Sequence, residues 1–314
     1  MLLPLTPPRD AFPRPATDAR LVRFLWGFSL PFQIAGWVRR RAPDDFRAWR
    51  RVAIVQGAVT LACGGAIVGG VLALRSLLRT WAAALGDGVK VQGFGDWKET
   101  LLTVLALFAA VEWLVIALSR EHHEQITRAI TERFALPPED PQQTPRIRLD
   151  LRWLWRRVRR WGRGIKAIIG VLPVVLAFSL VLAPLGIRER ASGVVLVLWS
   201  FYWGAVIACS KTAYAWRTEG DASAPQPRYV ESFRRWPIVS LWARFLGRMT
   251  KSSAPAVREV DAQLWEFLGL SLARTLLGVP VLYSFIRPSL PVAALLVLAT
   301  PAPEPELVAT PERS

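Results

Sequence analysis

The stretch from Arg146 to Ile187 constrains this chain most, because a basic, tryptophan-bearing helix runs there almost directly into a long apolar segment. Leu151, Leu154, Trp155, Val158 and Trp161 recur every three or four residues, while Arg152, Arg156, Arg159 and Arg163 take the other side. That is the spacing of an amphipathic helix. From Ile165 to Ile187 only Lys166 interrupts the apolar run, which is too long for an ordinary buried helix and long enough to enter a bilayer. A helix with arginine on one face and tryptophan and leucine on the other lies at a lipid interface, its cations near anionic head groups. Trp155, Trp161, Arg152, Arg156 and Arg159 are the expected membrane-surface contacts.

The same segregation holds along the whole chain. Apolar residues make up 52% and charged residues 20%, the latter confined between apolar blocks, so the expected class is an all-α polytopic membrane protein. A formal charge of +16 would also suit nucleic acid, but these arginines flank apolar blocks instead of forming a soluble basic domain, and no nucleic-acid partner is expected. Only five of the forty basic residues are lysine, which suggests a GC-rich bacterial genome. Cys63 and Cys209 sit inside apolar runs and predict no structural disulfide. Pro4, Pro7, Pro8, Pro13 and Pro15 break any signal-peptide core at the N-terminus.

In chain order, residues 1–20 read as a disordered proline-rich arm and 301–314 as a disordered tail, around a helical membrane domain at 21–300. Leu21 to Val38 contains Pro31 and Gly36 and predicts a re-entrant or interfacial helix, followed by a polar link through Asp44, Asp45 and Arg47. Spans are expected near 52–74, 101–118, 165–187 and 193–209. In the first, Ala58, Ala62, Ala66 and Gly70 form a small-residue face that predicts internal helix packing. Arg75 to Thr100 reads as a glycine-containing loop, and Arg188-Glu189-Arg190 as a short turn. The helical pattern of the second span continues through Glu121 to Phe134 until Pro137 and Pro138. The block at 265–300 is too long for one span and predicts a hairpin of two shorter helices bent near Pro288.

Cation counting orients these elements. Segments 1–51, 119–163 and 210–264 carry ten, eleven and nine Lys or Arg, against four in 75–99 and two in 188–192. The positive-inside rule then places both termini and the segments 119–163 and 210–264 in the cytoplasm, in a bacterial inner membrane.

Catalytic equipment is sparse. The only histidines, His122 and His123, are adjacent in sequence, so on a helix they point about 100° apart and lack the spacing of a zinc site; they predict a solvated face. No nucleophile constellation, phosphate loop or cysteine cluster appears, so no enzyme, metal or cofactor is expected. Glu112 is the outlier, since a carboxylate near mid-span costs about 2.5–3.5 kcal/mol unless compensated; Arg274 and Arg287 are the expected partners. Ser289 before Leu290 and Pro291 predicts a helix start whose N-terminus, beside Arg287, faces an anion, the alternative being that Arg287 snorkels to an interface. Arg287, Ser289 and Arg274 are thus the candidate anion contacts.

The order of elements resembles the CysZ-type family of bacterial inner-membrane proteins, proposed sulfate permeases, and the related etoposide-induced-protein domain. The likeness lies in Arg47 to Gln56 leading into a span, Glu124 to Phe134 with Pro137-Pro138, and the Trp153 to Trp161 helix. It continues through the aromatic run Trp199 to Tyr214 and through Gly278-Val279-Pro280-Val281-Leu282 with Phe285, Pro288 and Val292-Ala293, covering about residues 24 to 300. Val55-Gln56-Gly57 and Ser119-Arg120-Glu121 depart from the family pattern, and residues 216 to 264 form a longer polar insert. The resemblance implies permeation of a small inorganic anion by an oligomer. The alternative is a non-transporting scaffold whose basic cytoplasmic face recruits lipid or a protein partner.

Overall fold

Apolar blocks punctuated by proline and arginine give helices from end to end. A computed structural model describes residues 11–300 apart from 85–96, 141, 183, 185–187, 218, 220, 222–225, 235–236, 277–278 and 280. Among the described residues the order is α1 (Arg20–Arg41), α2 (Pro43–Ala84), α3 (Trp97–Leu118), α4 (Arg120–Arg133), α5 (Leu151–Leu182), α6 (Arg188–Cys209) and α7 (Arg228–Arg234). Then come α8 (Pro237–Thr250), α9 (Ala254–Ala262), α10 (Leu264–Leu276), α11 (Leu282–Ile286) and α12 (Ser289–Ala299), and no described residue is in a strand. The all-α membrane class read from the sequence is the observed one.

Among the described residues three helices are long and apolar enough to cross a membrane: Pro43–Leu74, Thr100–Leu118 and Arg190–Cys209. Only 17, 22 and 28% of their apolar windows are buried by the protein itself. Apolar surface of that extent is driven out of water at about 25 cal/mol per Å², and lipid is the solvent that fits it. The third block runs as helix through Leu182 with Pro173 inside it; residues 183 and 185–187 lie outside the described residues.

Several boundaries correct the sequence reading. The polar link at Asp44, Asp45 and Arg47 is helical, because Pro43 suits the first helical position and the two aspartates suit the positive end of the dipole. The expected loop from Arg75 is helix to Ala84, since no glycine or proline occurs between Val71 and Ala84; the glycines at 86, 88, 93 and 95 lie outside the described residues. Arg188-Glu189-Arg190 is the first turn of α6, not a turn between helices. Arg146 to Asp150 is irregular, and the basic helix begins at Leu151, where Asp150 Oδ1 accepts the amides of Arg152 (2.9 Å) and Trp153 (3.2 Å) as its cap. In the closing block α10 ends at Leu276, α11 covers Leu282–Ile286 and α12 begins at Ser289, so the described residues make three helices where two were expected. Val281, immediately before α11, is left-handed (φ 76°).

The chain divides into two units. One comprises residues 31–161 and 273–292. In it α2 packs on α3 and α4, and α11 on α2. The buried stripe of α2 is Ala53, Gln56, Gly57, Thr60 and Gly64, with Gly64 leaving room for the Phe108 ring. Ala58, Ala62, Ala66 and Gly70, the expected packing face, are all exposed. One residue of register is about 100° of helix, and the ring of Phe108 and the side chain of Gln56 fix which side turns inward. Helix α4 ends as the sequence indicates, in a Schellman motif: Leu136 N donates to Thr131 O (3.2 Å) and Ala135 N to Glu132 O (3.1 Å), with Ala135 left-handed (φ 50°) before Pro137.

The other unit comprises residues 1–30, 162–272 and 293–314. Here α1 meets α10 at backbone distance: a Cβ on Gly27 would overlap the carbonyl of Glu266, and one on Gly269 that of Phe24. Helix α6 packs on α9, with the Tyr202 hydroxyl donating to Asp261 Oδ1 (2.8 Å) beside Trp199, Trp203 and Tyr229. Segment 210–264, read only as polar, therefore holds α7, α8 and α9. The arm is not disordered where it is described: Phe12 is buried, and Arg14 binds Glu266 Oε1 (2.5 Å) and the Thr300 carbonyl (3.2 Å). Residues 1–10 and the tail 301–314 lie outside the described residues.

Candidate functional site

A glutamine inside the apolar run of the first span is the starting point. Gln56 is buried on α2, and it cannot lie against apolar neighbours without partners for its amide. His123 on α4 supplies one: its Nε2 lies 2.8 Å from Gln56 Oε1. Gln56 Nε2 in turn donates to Ser119 Oγ (2.5 Å), which donates to the Val115 carbonyl (2.6 Å). The chain has one consistent direction, so the imidazole proton sits on Nε2 and Nδ1 carries a lone pair. That Nδ1 is enclosed and has no hydrogen-bond partner among the described residues, and neither has the buried Thr60 Oγ1 one turn along α2 from Gln56.

The solvated face expected at the histidines is thus corrected. His123 is only 3% exposed, and its imidazole is held well below the usual range by burial first, then by the charges of Arg287 and His122. It is neutral at physiological pH. The rest of α4 is anchored by ions: Arg148 Nε and Arg146 N bind the two oxygens of Glu121 (2.7 and 2.9 Å), and Arg120 bridges Glu124 (2.5 Å) and Asp150 (2.8 Å). The Arg148 hydrogen bond holds the Glu121 carboxyl below its ordinary range.

Glu112 is buried in α3, and its compensation differs from the expected ion pair. Oε1 accepts the Val281 amide (2.9 Å) and the Ser284 hydroxyl (3.3 Å). The left-handed turn at Val281, a strained conformation for a β-branched residue, aims that amide at the carboxylate. Gly57 makes the turn possible, since a Cβ there would press on Val281 Cγ1.

Arg287 makes no direct ion pair with Glu112, although the charges of Glu112 and Glu124 reach it. Its side chain makes no ion pair and no hydrogen bond among the described residues; it is half-buried, with Nη1 enclosed. Ser289 does not cap an open helix N-terminus, because its hydroxyl donates to the Ile286 carbonyl (2.7 Å) and the residue is fully buried. Arg274 lies half-buried in the last turn of α10. Of the three candidate anion contacts, Arg287 is the one with an enclosed guanidinium nitrogen that has no hydrogen bond among the described residues.

On the basic helix, Leu151 (71% exposed), Trp155 (58%) and Val158 present the uncovered apolar face read from the sequence, with Arg152 and Arg159 exposed beside them. The Arg159 guanidinium lies over the Trp155 ring at 5.5 Å. The side chains of Arg156 and Trp161 lie outside the described residues. Trp153 turns inward instead, under Arg120 (5.8 Å) and against Trp113.

Sequence reasoning missed Gln56, Ser119 and the inward role of His123. The signal was there in one form, a long amide in an apolar run, which predicts a buried polar partner without naming it. No protein-family model, no curated protein and no solved structure matches this chain.

Proposed function

We propose that this is a bacterial inner-membrane permease for a small inorganic anion of the sulfate type, with cytoplasmic termini, acting as a homo-oligomer, and that Arg287 is the anion contact. One observation carries the reading: an arginine in the closing block of a membrane protein has an enclosed guanidinium nitrogen and makes no ion pair or side-chain hydrogen bond among the described residues, while Glu112, whose charge reaches it, takes its hydrogen bonds from neutral donors. Uncompensated ionisable groups in membrane domains mark ion pathways, and enclosed polar atoms without partners, here Arg287 Nη1 and His123 Nδ1, are the atoms that water or an ion completes. The resemblance to CysZ-type proteins points to the same substrate class. No catalytic role, metal or cofactor enters the reading.

A second reading rests on a different surface. The exposed face Leu151, Trp155 and Val158 with Arg152 and Arg159 suits anionic head groups, so the chain acts as a scaffold if it does not transport. Flux of radiolabelled sulfate into proteoliposomes decides between them: the permease reading expects flux with the parent protein and none with Arg287→Gln. Undiminished flux in the variant excludes Arg287 from the path, and absent flux in the parent selects the scaffold.

A further inference from the structure

The first span opens on three arginines in one turn and a half. Arg47, Arg50 and Arg51, with Ile54 and Val55 below them, line a cavity of about 250 Å³ on the surface of α2. At about 100° per residue these five side chains share one face, opposite the buried stripe of Trp49, Ala53, Gln56 and Thr60. Arg47 is held by Asp44, but Arg50 and Arg51 make no ion pair among the described residues. The cavity therefore presents two free guanidiniums and one shared one at the point where the helix passes from polar to apolar sequence.

Directly beneath the cavity run Ala58, Ala62, Ala66 and Gly70, all exposed. Ile54 and Leu61 stand along one side of that stripe and Val55 and Val59 along the other, and all four are exposed. The side chains thus make a shallow lane with apolar walls and a floor of small residues. From Ala58 to Gly70 is about 18 Å of helix, close to the ~15 Å depth of one leaflet's hydrocarbon.

We infer that this face binds one anionic glycerophospholipid, its phosphate held by Arg47, Arg50 and Arg51 and one acyl chain laid in the Ala58–Gly70 lane. A phosphate's equatorial oxygens match the fork of a guanidinium, and a basic pocket at a span's mouth recognises lipid head groups. A free oxyanion would satisfy the arginines alone; the lane below them selects a ligand with an acyl chain. This site is separate from Arg287 and stands whether or not the protein transports.

The full chain, purified in mild detergent, is titrated with dioleoyl phosphatidylglycerol and bound lipid is counted by native mass spectrometry. Phosphatidylcholine of the same chains and glycerol 3-phosphate serve as the two controls. The tightest phosphatidylglycerol should bind well ahead of both, and Arg50→Gln/Arg51→Gln should weaken it about twenty-fold, on the order of one surface cation's contribution for each arginine. Ala58→Phe/Ala62→Phe keeps the arginines and fills the lane, so it should weaken the lipid while leaving glycerol 3-phosphate unchanged. Circular dichroism and gel filtration confirm folding of each variant. The proposal is overturned if phosphatidylcholine binds equally well, if glycerol 3-phosphate binds as tightly as the lipid, or if either double variant keeps the parent affinity.

Discussion

Glu266 and Arg287 are charged residues in the same closing block, one in each unit, and they are treated in opposite ways. Glu266 is fully buried and its Oε1 takes two guanidiniums, Arg14 at 2.5 Å and Arg23 at 2.6 Å, under a glycine crossing with no spare volume. The Arg287 side chain has an enclosed nitrogen and, among the described residues, no ion pair and no hydrogen bond. A charge closed off by its own chain serves the fold; a charge left open is available to something that arrives. The difference separates architecture from site without appeal to any relative.

The largest effect should come from the closed charge. Glu266→Gln strands Arg14, which is 4% exposed, and Arg23, and removing one partner of a buried pair costs about 3–5 kcal/mol. Thermal unfolding in detergent checks it; a loss below about 1 kcal/mol would place Glu266 with the ordinary surface ion pairs. Next is the crossing that encloses it: Gly269→Ala drives a methyl into the Phe24 carbonyl and should lose about 1–3 kcal/mol, the range for overpacking. Equal stability of Gly269→Ala and the parent would mean that the helices separate easily and that Glu266 is not clamped.

How much of this contrast was readable beforehand depended on the length of sequence over which the signal extends. Period and apolar length mark out α2, α3 and α6 without tertiary knowledge, and Pro137-Pro138 correctly ends α4. The register of packing did not follow, because Gly64 and Ala66 look alike until the ring of Phe108 is placed. Glu112 was visible as a burial problem, but its solution depended on a left-handed valine 169 residues away, which no local pattern encodes. Arg287 stood out as a cation in an apolar block, whereas Ser289, chosen by capping chemistry, turned its hydroxyl to Ile286. The partner of Glu266 lay in an arm that proline content alone marked as disordered.

A smaller effect sharpens the open side. His123 is held below its unfolded value of 6.5, so the unfolded chain binds the extra proton first. Its contribution to stability is full above about pH 6.5 and falls by up to about 1.4 kcal/mol per pH unit as pH drops toward the folded value. Asp140, raised by burial from 3.8 to about 6, runs the other way between those values, adding stability as pH falls. The difference between parent and His123→Gln isolates the histidine: the variant should lose less stability between pH 7 and pH 5. Parallel curves would show that His123 is already protonated or exposed, and would remove it from the neighbourhood of Arg287.

The most direct test asks whether Arg287 takes an anion at all. Unfolding of the purified protein is followed while sulfate is raised at ionic strength held constant with gluconate. A ligand that binds only the folded state stabilises it by about 2.7 kcal/mol at a hundredfold excess over Kd. The parent protein should show a saturable rise in melting temperature with sulfate, and Arg287→Gln, equally stable without it, should show none. The same rise in both proteins, or a melting temperature in the parent that does not respond to sulfate, would contradict the assignment of Arg287 as the open charge of an anion site.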